Sequence, residues 1–256
     1  MDVVSYATVR VRVEEPICFL QLHRPERNNT INAALIAECR EVLAGCGESI
    51  TIVVVEGGPE VFCFGADFQG VREAMSPDPD ASDPAALYDL WETLATGPYI
   101  SIAHVRGKAN AGGVGFAAAC DIVIASETAQ FSLSELLFGL FPACVLPFLI
   151  RRTGFQRAHY LTLMTQPIPV QQAHAWGLVD AYDANSELVL RRHLGRLRRL
   201  TKPSIRGYKR YVTGLTDSIG PHRAAALTAN RQLFSDRGNL EGIRRYVETG
   251  LLPWER

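Results

Sequence analysis

Apolar residues recur along this chain with two periods. TVRVRV alternates with period two, Glu14-Glu15-Pro16 supplies a turn and ICFLQL follows, which predicts a β-hairpin over 5–22. Ile31, Leu35, Ile36, Cys39, Val42 and Leu43 fall at helical spacing and predict a helix over 31–47. TIVVVEG (51–57), ISIAHV (100–105) and DIVIAS (121–126) are continuous apolar runs, as expected of strands buried on both faces. Helical stretches separate them, so the pattern is βαβ with a parallel sheet, an α/β fold. SPDPDASDP (Ser76–Pro84) reads as an exposed loop, and a helix resumes from Tyr88 to Leu94. From Leu133 onward strand signals vanish. Helical periods run through 145–153, 156–164, 170–176, 186–200, 203–214, 221–235 and 238–249.

Composition narrows the function. Hydrophobic residues make up 47% of the 256 positions and the mean hydropathy is +0.03, ample for a packed core. A net charge of −1 argues against a nucleic-acid binder or a ligand of anionic membranes. The longest apolar run, Phe138–Ile150, is too short to span a bilayer and carries Pro142 and Pro147. No signal peptide is read at the N-terminus. Cys18, Cys39, Cys46, Cys63, Cys120 and Cys144 sit singly in apolar segments, as reduced thiols of a cytoplasmic protein would. The small net charge hides an asymmetry: 8 Lys+Arg against 19 Asp+Glu over 1–150, and 18 against 8 over 151–256. Seven Arg and two Lys crowd Arg191–Arg210 with no acid among them. Such a stretch either receives an acidic partner or forms a solvated face.

Two glycine-containing turns follow strands. One is Phe62-Cys63-Phe64-Gly65-Ala66-Asp67-Phe68; the other is Asn110-Ala111-Gly112-Gly113-Val114-Gly115, which leads into an apolar helical run. Free backbone N–H groups at two such turns can meet on one oxygen and form an oxyanion hole. Neither GxGxxG nor GxxxxGK[ST] is present, which removes the common nucleotide-binding readings. The six histidines show no metal-ligand spacing, and His104 reads as a satisfied core residue.

FCFGADF, NAGGVGFAAACDIVIAS, AQFSLSELLFGLFP and LTLMTQPIPVQQAHAWGLVD resemble, in order and spacing, the signature of the crotonase (enoyl-CoA hydratase/isomerase) superfamily. The resemblance runs from about His23-Arg24-Pro25 to the end of the chain. It implies a crotonase-like β-β-α superhelix, with a core over 1–190 and a C-terminal helical trimerisation region over 191–256. It also implies a thioester enolate stabilised by the N–H groups of Ala66 and Gly112. Glu135, in FSLSE, matches the second of the two catalytic glutamates of hydratases. The first, three residues after the oxyanion glycine, is replaced by Gly115. Gln69 stands where acyl-CoA enzymes often carry a basic residue, and Ala143 replaces the glycine of the family's IPG turn.

Within the superfamily the chain most resembles the dehydratase of polyketide β-branching cassettes, through NNTIN (28–32), EVFCFGADF (60–68), LYDLWETL (87–94), GPYISIAHVRGK (97–108), NAGGVGF (110–116), FSLSELLFGLFPACVLPFLIRR (131–152) and RYVETGLLPWE (245–255). The implied reaction is dehydration of 3-hydroxy-3-methylglutaryl-ACP to 3-methylglutaconyl-ACP. Glu135 would act first as base and then as acid, its pKa raised by Phe131, Leu133, Leu136 and Phe141. No cofactor is implied beyond the phosphopantetheine that carries the substrate. Tyr88, Lys108, Asn110 and Arg72 are candidates to hold the substrate's distal carboxylate. Arg191, Arg192, Arg196, Arg198, Arg199 and Lys202 are candidates to dock an acyl carrier protein. Assembly as a homotrimer or dimer of trimers is expected, with Leu227, Leu233, Phe234, Ile243, Tyr246, Val247, Leu251 and Leu252 as the surplus apolar surface. The alternatives are the sister decarboxylase, an acyl-CoA hydratase or isomerase, and an idle scaffold of the same fold. Glu135 at the base position weighs against the first and the last, and Gly115 with Gln69 against the second.

Overall fold

The computed structural model describes residues 6–68 and 84–255. Ten strands and ten α-helices lie in this part. The strands are β1 (Val9–Glu14), β2 (Ile17–Leu22), β3 (Ile52–Glu56), β4 (Val61–Cys63), β5 (Ile100–Val105), β6 (Lys108–Asn110), β7 (Ile122–Ser126), β8 (Gln130–Ser132), β9 (Ile168–Pro169) and β10 (Ala181–Asp183). The helices are α1 (Ala33–Ala44), α2 (Pro84–Thr96), α3 (Gly112–Ala119), α4 (Leu146–Thr153), α5 (Phe155–Met164), α6 (Val170–Ala175), α7 (Ser186–Leu197), α8 (Lys202–Thr216), α9 (Arg223–Ser235) and α10 (Arg237–Thr249).

The long apolar runs form a six-stranded sheet, ordered β1-β2-β3-β5-β7-β10. Only β1 and β2 pair antiparallel; the other pairs are parallel. The runs are continuous because both faces are covered. Ile52, Val54, Ile102 and Ile124 pack with Leu190 and Leu194 of α7, whereas Val53, Val55, Ala103 and Val123 enter the main core with α1, α2 and α3. His104 is fully buried and satisfied: Nδ1 lies 3.1 Å from Glu56 Oε1 and Nε2 lies 2.9 Å from Ser186 Oγ.

A second sheet, β4-β6-β8-β9, is not visible in the hydropathy pattern, because its members are two or three residues long. The expectation of no strand after Leu133 is corrected by β9 and by β10, the sixth strand of the main sheet. β3, β5 and β7 lead within a few residues into β4, β6 and β8. The glycines at these crossings let two backbones nearly touch. A Cβ on Gly107 would lie 2.1 Å from the Glu60 backbone, and one on Gly57 would lie 2.4 Å from that of Phe62.

The 190/191 boundary falls inside α7, which packs on the main sheet, so the core does not end there. Two lysines pin the next helix, α8. Lys202 is buried and its Nζ donates to the carbonyls of Ile50 (2.8 Å), Cys46 (3.0 Å) and Gly47. Lys209 Nζ donates to Asp121 Oδ2 (2.7 Å) and Tyr99 O (3.0 Å). Lys202 is therefore a structural anchor, not a docking residue. The surplus apolar residues are also largely spoken for. Leu227 and Ile243 are buried, while Leu233, Phe234, Val247 and Leu252 pack with Phe138 and Leu140. Two helices expose clusters of large apolar side chains, α5 (Phe155, Tyr160, Leu163) and α8 (Tyr208, Tyr211, Leu215); Trp254, Tyr246 and Leu251 near the C-terminus are exposed as well. Five cysteines are buried, Cys46 is half-buried, and all six are free.

Gly107→Ala should destabilise the chain by more than about 2 kcal/mol, because the methyl group meets backbone rather than a yielding side chain. A denaturant midpoint equal to the wild type's would show that the crossing is looser than described.

Candidate active site

The two glycine-containing turns lie against each other at the second sheet. Gly65, with φ +88°, passes so close to the other turn that a Cβ there would meet Ala111 Cβ at 2.7 Å and Gly112 N at 3.3 Å. Ala111 has φ 51° and ψ −116°, a strained conformation for a residue with a side chain. It turns the chain sharply from β6 into α3, so that Gly112 is the first residue of that helix. Among the described residues neither the Ala66 nor the Gly112 N–H donates to a protein acceptor. The Gly112 N–H also lies at the positive end of the helix dipole, where a developing oxyanion is favoured.

The Ala66 turn is held by a segment whose role the sequence did not disclose. Asn28 and Asn29 both take left-handed conformations and bring Ile31 alongside the turn. Ile31 N–H donates to Gly65 O (2.8 Å), and Asp67 N–H donates to Ile31 O (3.1 Å). Asn29 Nδ2 donates to the carbonyls of Val61 (3.1 Å) and Phe62 (3.2 Å). A largely buried ion pair, Arg24 to Asp67 at 2.8 Å, closes the loop. The NNTIN motif therefore acts as a clip on the Ala66 turn.

Glu135 opens a 3₁₀ turn, Glu135–Phe138, just beyond β8. β6 and β8 pair with Asn110 opposite Ser132, which sets Glu135 beside the Gly112 turn. Asn110 locks this register: its Oδ1 accepts from Ser132 Oγ (2.8 Å) and its Nδ2 donates to Ser134 Oγ (3.0 Å). The C-terminal helix covers the same turn. Phe138 contacts Tyr246 of α10 edge-on at 5.1 Å, and Asn239 Oδ1 lies 2.2 Å from where a Gly139 Cβ would stand.

Glu135 Oε2 is buried without a hydrogen-bond partner. Burial raises its pKa to about 7, against a smaller opposing effect of the backbone N–H groups of Glu135 and Ser134. Phe131 and Leu133, just before it in the chain, are buried, whereas Leu136 and Phe141 are exposed. A carboxyl poised near neutrality accepts and returns a proton at low cost in either direction.

The expected carboxylate anchors do not gather here. Tyr88 is fully buried, its hydroxyl donating to Ile219 O at 2.7 Å and its ring packed on Phe148, so it belongs to the core. Asn110 spends its side chain on Ser132 and Ser134, which makes it a positioning residue. Lys108 is exposed at the start of β6, four residues before Gly112. Arg72 and Gln69 lie outside the described residues. Arg191, Arg192, Arg196, Arg198 and Arg199 are exposed. However, α7 runs back along the sheet, from Ser186 beside His104 to Leu197 in the cluster with Ile100 and Ile122, the first residues of β5 and β7. The last arginines thus lie at the end of the sheet opposite the two glycine-containing turns. Glu56, His104 and Glu187 bring three ligand atoms within 4.8 Å of one another. Both nitrogens of His104 are already engaged, and Glu187 pairs with Arg106 at 3.4 Å.

Residues 12–256 match the family described as enoyl-CoA hydratase/isomerase. The chain belongs to that family. It is 59% identical, over its whole length and 99% of the relative's, to the bacillaene synthase dehydratase PksH of Bacillus subtilis (strain 168). The 2,3-dehydroadipyl-CoA hydratase of Escherichia coli (strain K12) is 31% identical over 92% of this chain and 93% of its own. A solved structure of a polyketide biosynthesis enoyl-CoA hydratase (pksH) from Bacillus subtilis superposes with a TM-score of 0.94 at 58% identity, covering 97% of this chain and all of the other. The enoyl-CoA hydratase of Bacillus halodurans shares the fold, with a TM-score of 0.85 at 19% identity over 93% of this chain and 99% of that one. Membership of the enoyl-CoA hydratase/isomerase family makes the chain an enzyme, a hydro-lyase with the crotonase-like α/β fold expected of it. No helix among the described residues is long and apolar enough to cross a membrane.

The buried carboxyl leaves a signature in stability. Because its folded-state pKa lies above the ordinary 4.5, the folded chain keeps a proton between about pH 4.5 and 7 that the unfolded chain has released. Stability therefore falls as pH rises through that window, and this group adds no further loss above it. Glu135→Gln should lack this component. The stability difference between variant and wild type should grow in the variant's favour by about 2 kcal/mol between pH 5 and pH 8. A difference independent of pH would mean that the carboxyl is solvated.

Proposed function

We propose that this enzyme dehydrates 3-hydroxy-3-methylglutaryl-ACP to 3-methylglutaconyl-ACP in polyketide β-branching. The observation that carries this reading is a carboxyl oxygen, Glu135 Oε2, buried and unpartnered on the turn after β8, with the Ala66 and Gly112 N–H groups free of protein acceptors and a glycine, Gly115, where two-carboxylate hydratases carry a second glutamate. The kinship with the bacillaene synthase dehydratase supports polyketide biosynthesis, and with it a substrate carried on an acyl carrier protein.

The steps balance on one residue. Ionised Glu135 removes an α proton, and the electron pair moves onto the thioester oxygen. The N–H groups of Ala66 and Gly112 hold that oxyanion, each contributing about 3–4 kcal/mol by analogy with comparable holes. The enolate then expels the β-hydroxyl, which takes the proton from Glu135 and leaves as water. Acid and base share one face of the substrate, so the elimination is syn. The enzyme uses no cofactor of its own; phosphopantetheine belongs to the carrier. It works in the cytoplasm as a homotrimer or dimer of trimers, with the exposed apolar faces of α5 and α8 as the surface to be covered.

Incubation of the purified enzyme with the hydroxymethylglutaryl carrier protein should give a product lighter by one water. Loss of carbon dioxide, and only from the methylglutaconyl carrier protein, would make the enzyme the sister decarboxylase. Equal action on the CoA ester would make it an acyl-CoA hydratase. Glu135→Gln should fold and lose at least about 1,000-fold in kcat, as removal of a sole acid/base requires. Retention of more than a tenth of the rate would refute the one-carboxylate mechanism. Light scattering at micromolar concentration should give at least the trimer mass, and a monomer mass would refute the assembly.

A further inference from the structure

Gly115 lies one helical turn beyond Gly112 on the same face of α3, so its missing side chain would point along the side of the helix that carries the oxyanion donor. That volume is filled. A Cβ on Gly115 would meet Trp91 Cζ2 and Cη2 at 2.6 Å and Cε2 at 3.0 Å; Trp91 Cζ2 also lies 3.7 Å from where a Gly112 Cβ would stand. Trp91 comes from α2, is 1% exposed, and cannot easily turn away. Its ring is held edge-on between Phe116 (5.9 Å) and Phe148 (5.8 Å). Its Nε1–H is buried with no protein partner. A neutral, donor-bearing ring therefore fills the space into which a side chain at position 115, where a two-carboxylate member carries its other glutamate, would start.

The geometry points to Trp91 as a specificity-determining residue that occupies the volume of the second carboxylate and thereby favours thioesters whose acyl chain carries its own carboxylate. This rests on the proposed dehydration of such a substrate. The physical reason is charge. In a site that already holds Glu135 and is poorly hydrated, a second glutamate would repel an anionic acyl chain, whereas an indole does not. Gly115 and Trp91 form one device, because the ring fits only while position 115 has no side chain.

Two measurements test this. Gly115→Ala adds only the methyl group that the ring obstructs, and should melt several degrees below the wild type. The same substitution in a Trp91→Leu background should cost much less. A Gly115→Ala variant that melts like the wild type would overturn the proposal, since the volume would be empty. The second measurement compares kcat/KM for pantetheine thioesters of 3-hydroxy-3-methylglutarate and of neutral 3-hydroxybutyrate. Trp91→Leu/Gly115→Glu should lower the ratio of acidic to neutral substrate at least about 10-fold relative to Trp91→Leu, and Trp91→Leu/Gly115→Gln should lower it much less. Trp91→Leu/Gly115→Asp gives the same reading if the longer side chain prevents folding. An unchanged ratio in the acidic variants would overturn the charge argument. A wild type that dehydrates neither thioester would instead refute the proposed reaction, while the thermal coupling of positions 91 and 115 would still report whether the ring fills the volume.

Discussion

A single carboxyl group withheld from water organises this molecule. Left in solvent, Glu135 would be a weak base with an ordinary carboxylate pKa. Half-buried, with Oε2 withdrawn from water and unpartnered, it is moved to about 7, at a cost in stability that the surrounding structure must offset. Three elements do so. Asn110 ties the flanking serines to β6, α10 packs Tyr246 onto Phe138, and Gly139 admits the close approach of Asn239. The C-terminal helices are thus part of the site's support within one protomer, whatever further surface they offer.

The second constraint is close backbone approach. Strand pairs that cross from one sheet to the other place Gly57 against Phe62 and Gly107 against Glu60, and the two glycine-containing turns meet through Gly65 and Ala111. At Gly57, Gly107 and Gly65 the contact admits hydrogen only. Strain at Ala111 is the local expense of starting α3 with its first N–H free. The proposed enolate site is therefore a consequence of how two sheets are stacked, and its donors need no side-chain chemistry.

Long elements were legible in the sequence because their periodicity spans many residues. β3, β5, β7 and all seven helices after Leu133 fall close to where hydropathy places them. Ala66, Gly112 and Glu135 stand out because motif order fixes them, and the structure sets Gly65, beside Ala66, against Ala111, beside Gly112. The second sheet was not legible, since a two- or three-residue strand such as β9 carries no period. Two polar side chains mislead for a different reason. Tyr88, a candidate anchor, and Lys202, a candidate docking residue, have polar tips that suit ligands equally well, yet each is spent on a buried backbone carbonyl, which only tertiary structure reveals. The arginines of α7 were correctly read as exposed, but which end of the sheet they occupy depends on the direction in which that helix returns. Gly115 was read as an absence; Trp91 shows what fills the space.

The protonation state of Glu135 is open to direct observation. Carbon-13 NMR of the enzyme labelled at glutamate side-chain carboxyls, titrated from pH 4 to 9 beside Glu135→Gln, isolates the resonance that the variant lacks. That resonance should titrate near pH 7, well above the ordinary glutamates. A midpoint near 4.5 would show Glu135 to be a solvated carboxylate, and would contradict both its burial and its double role as base and acid.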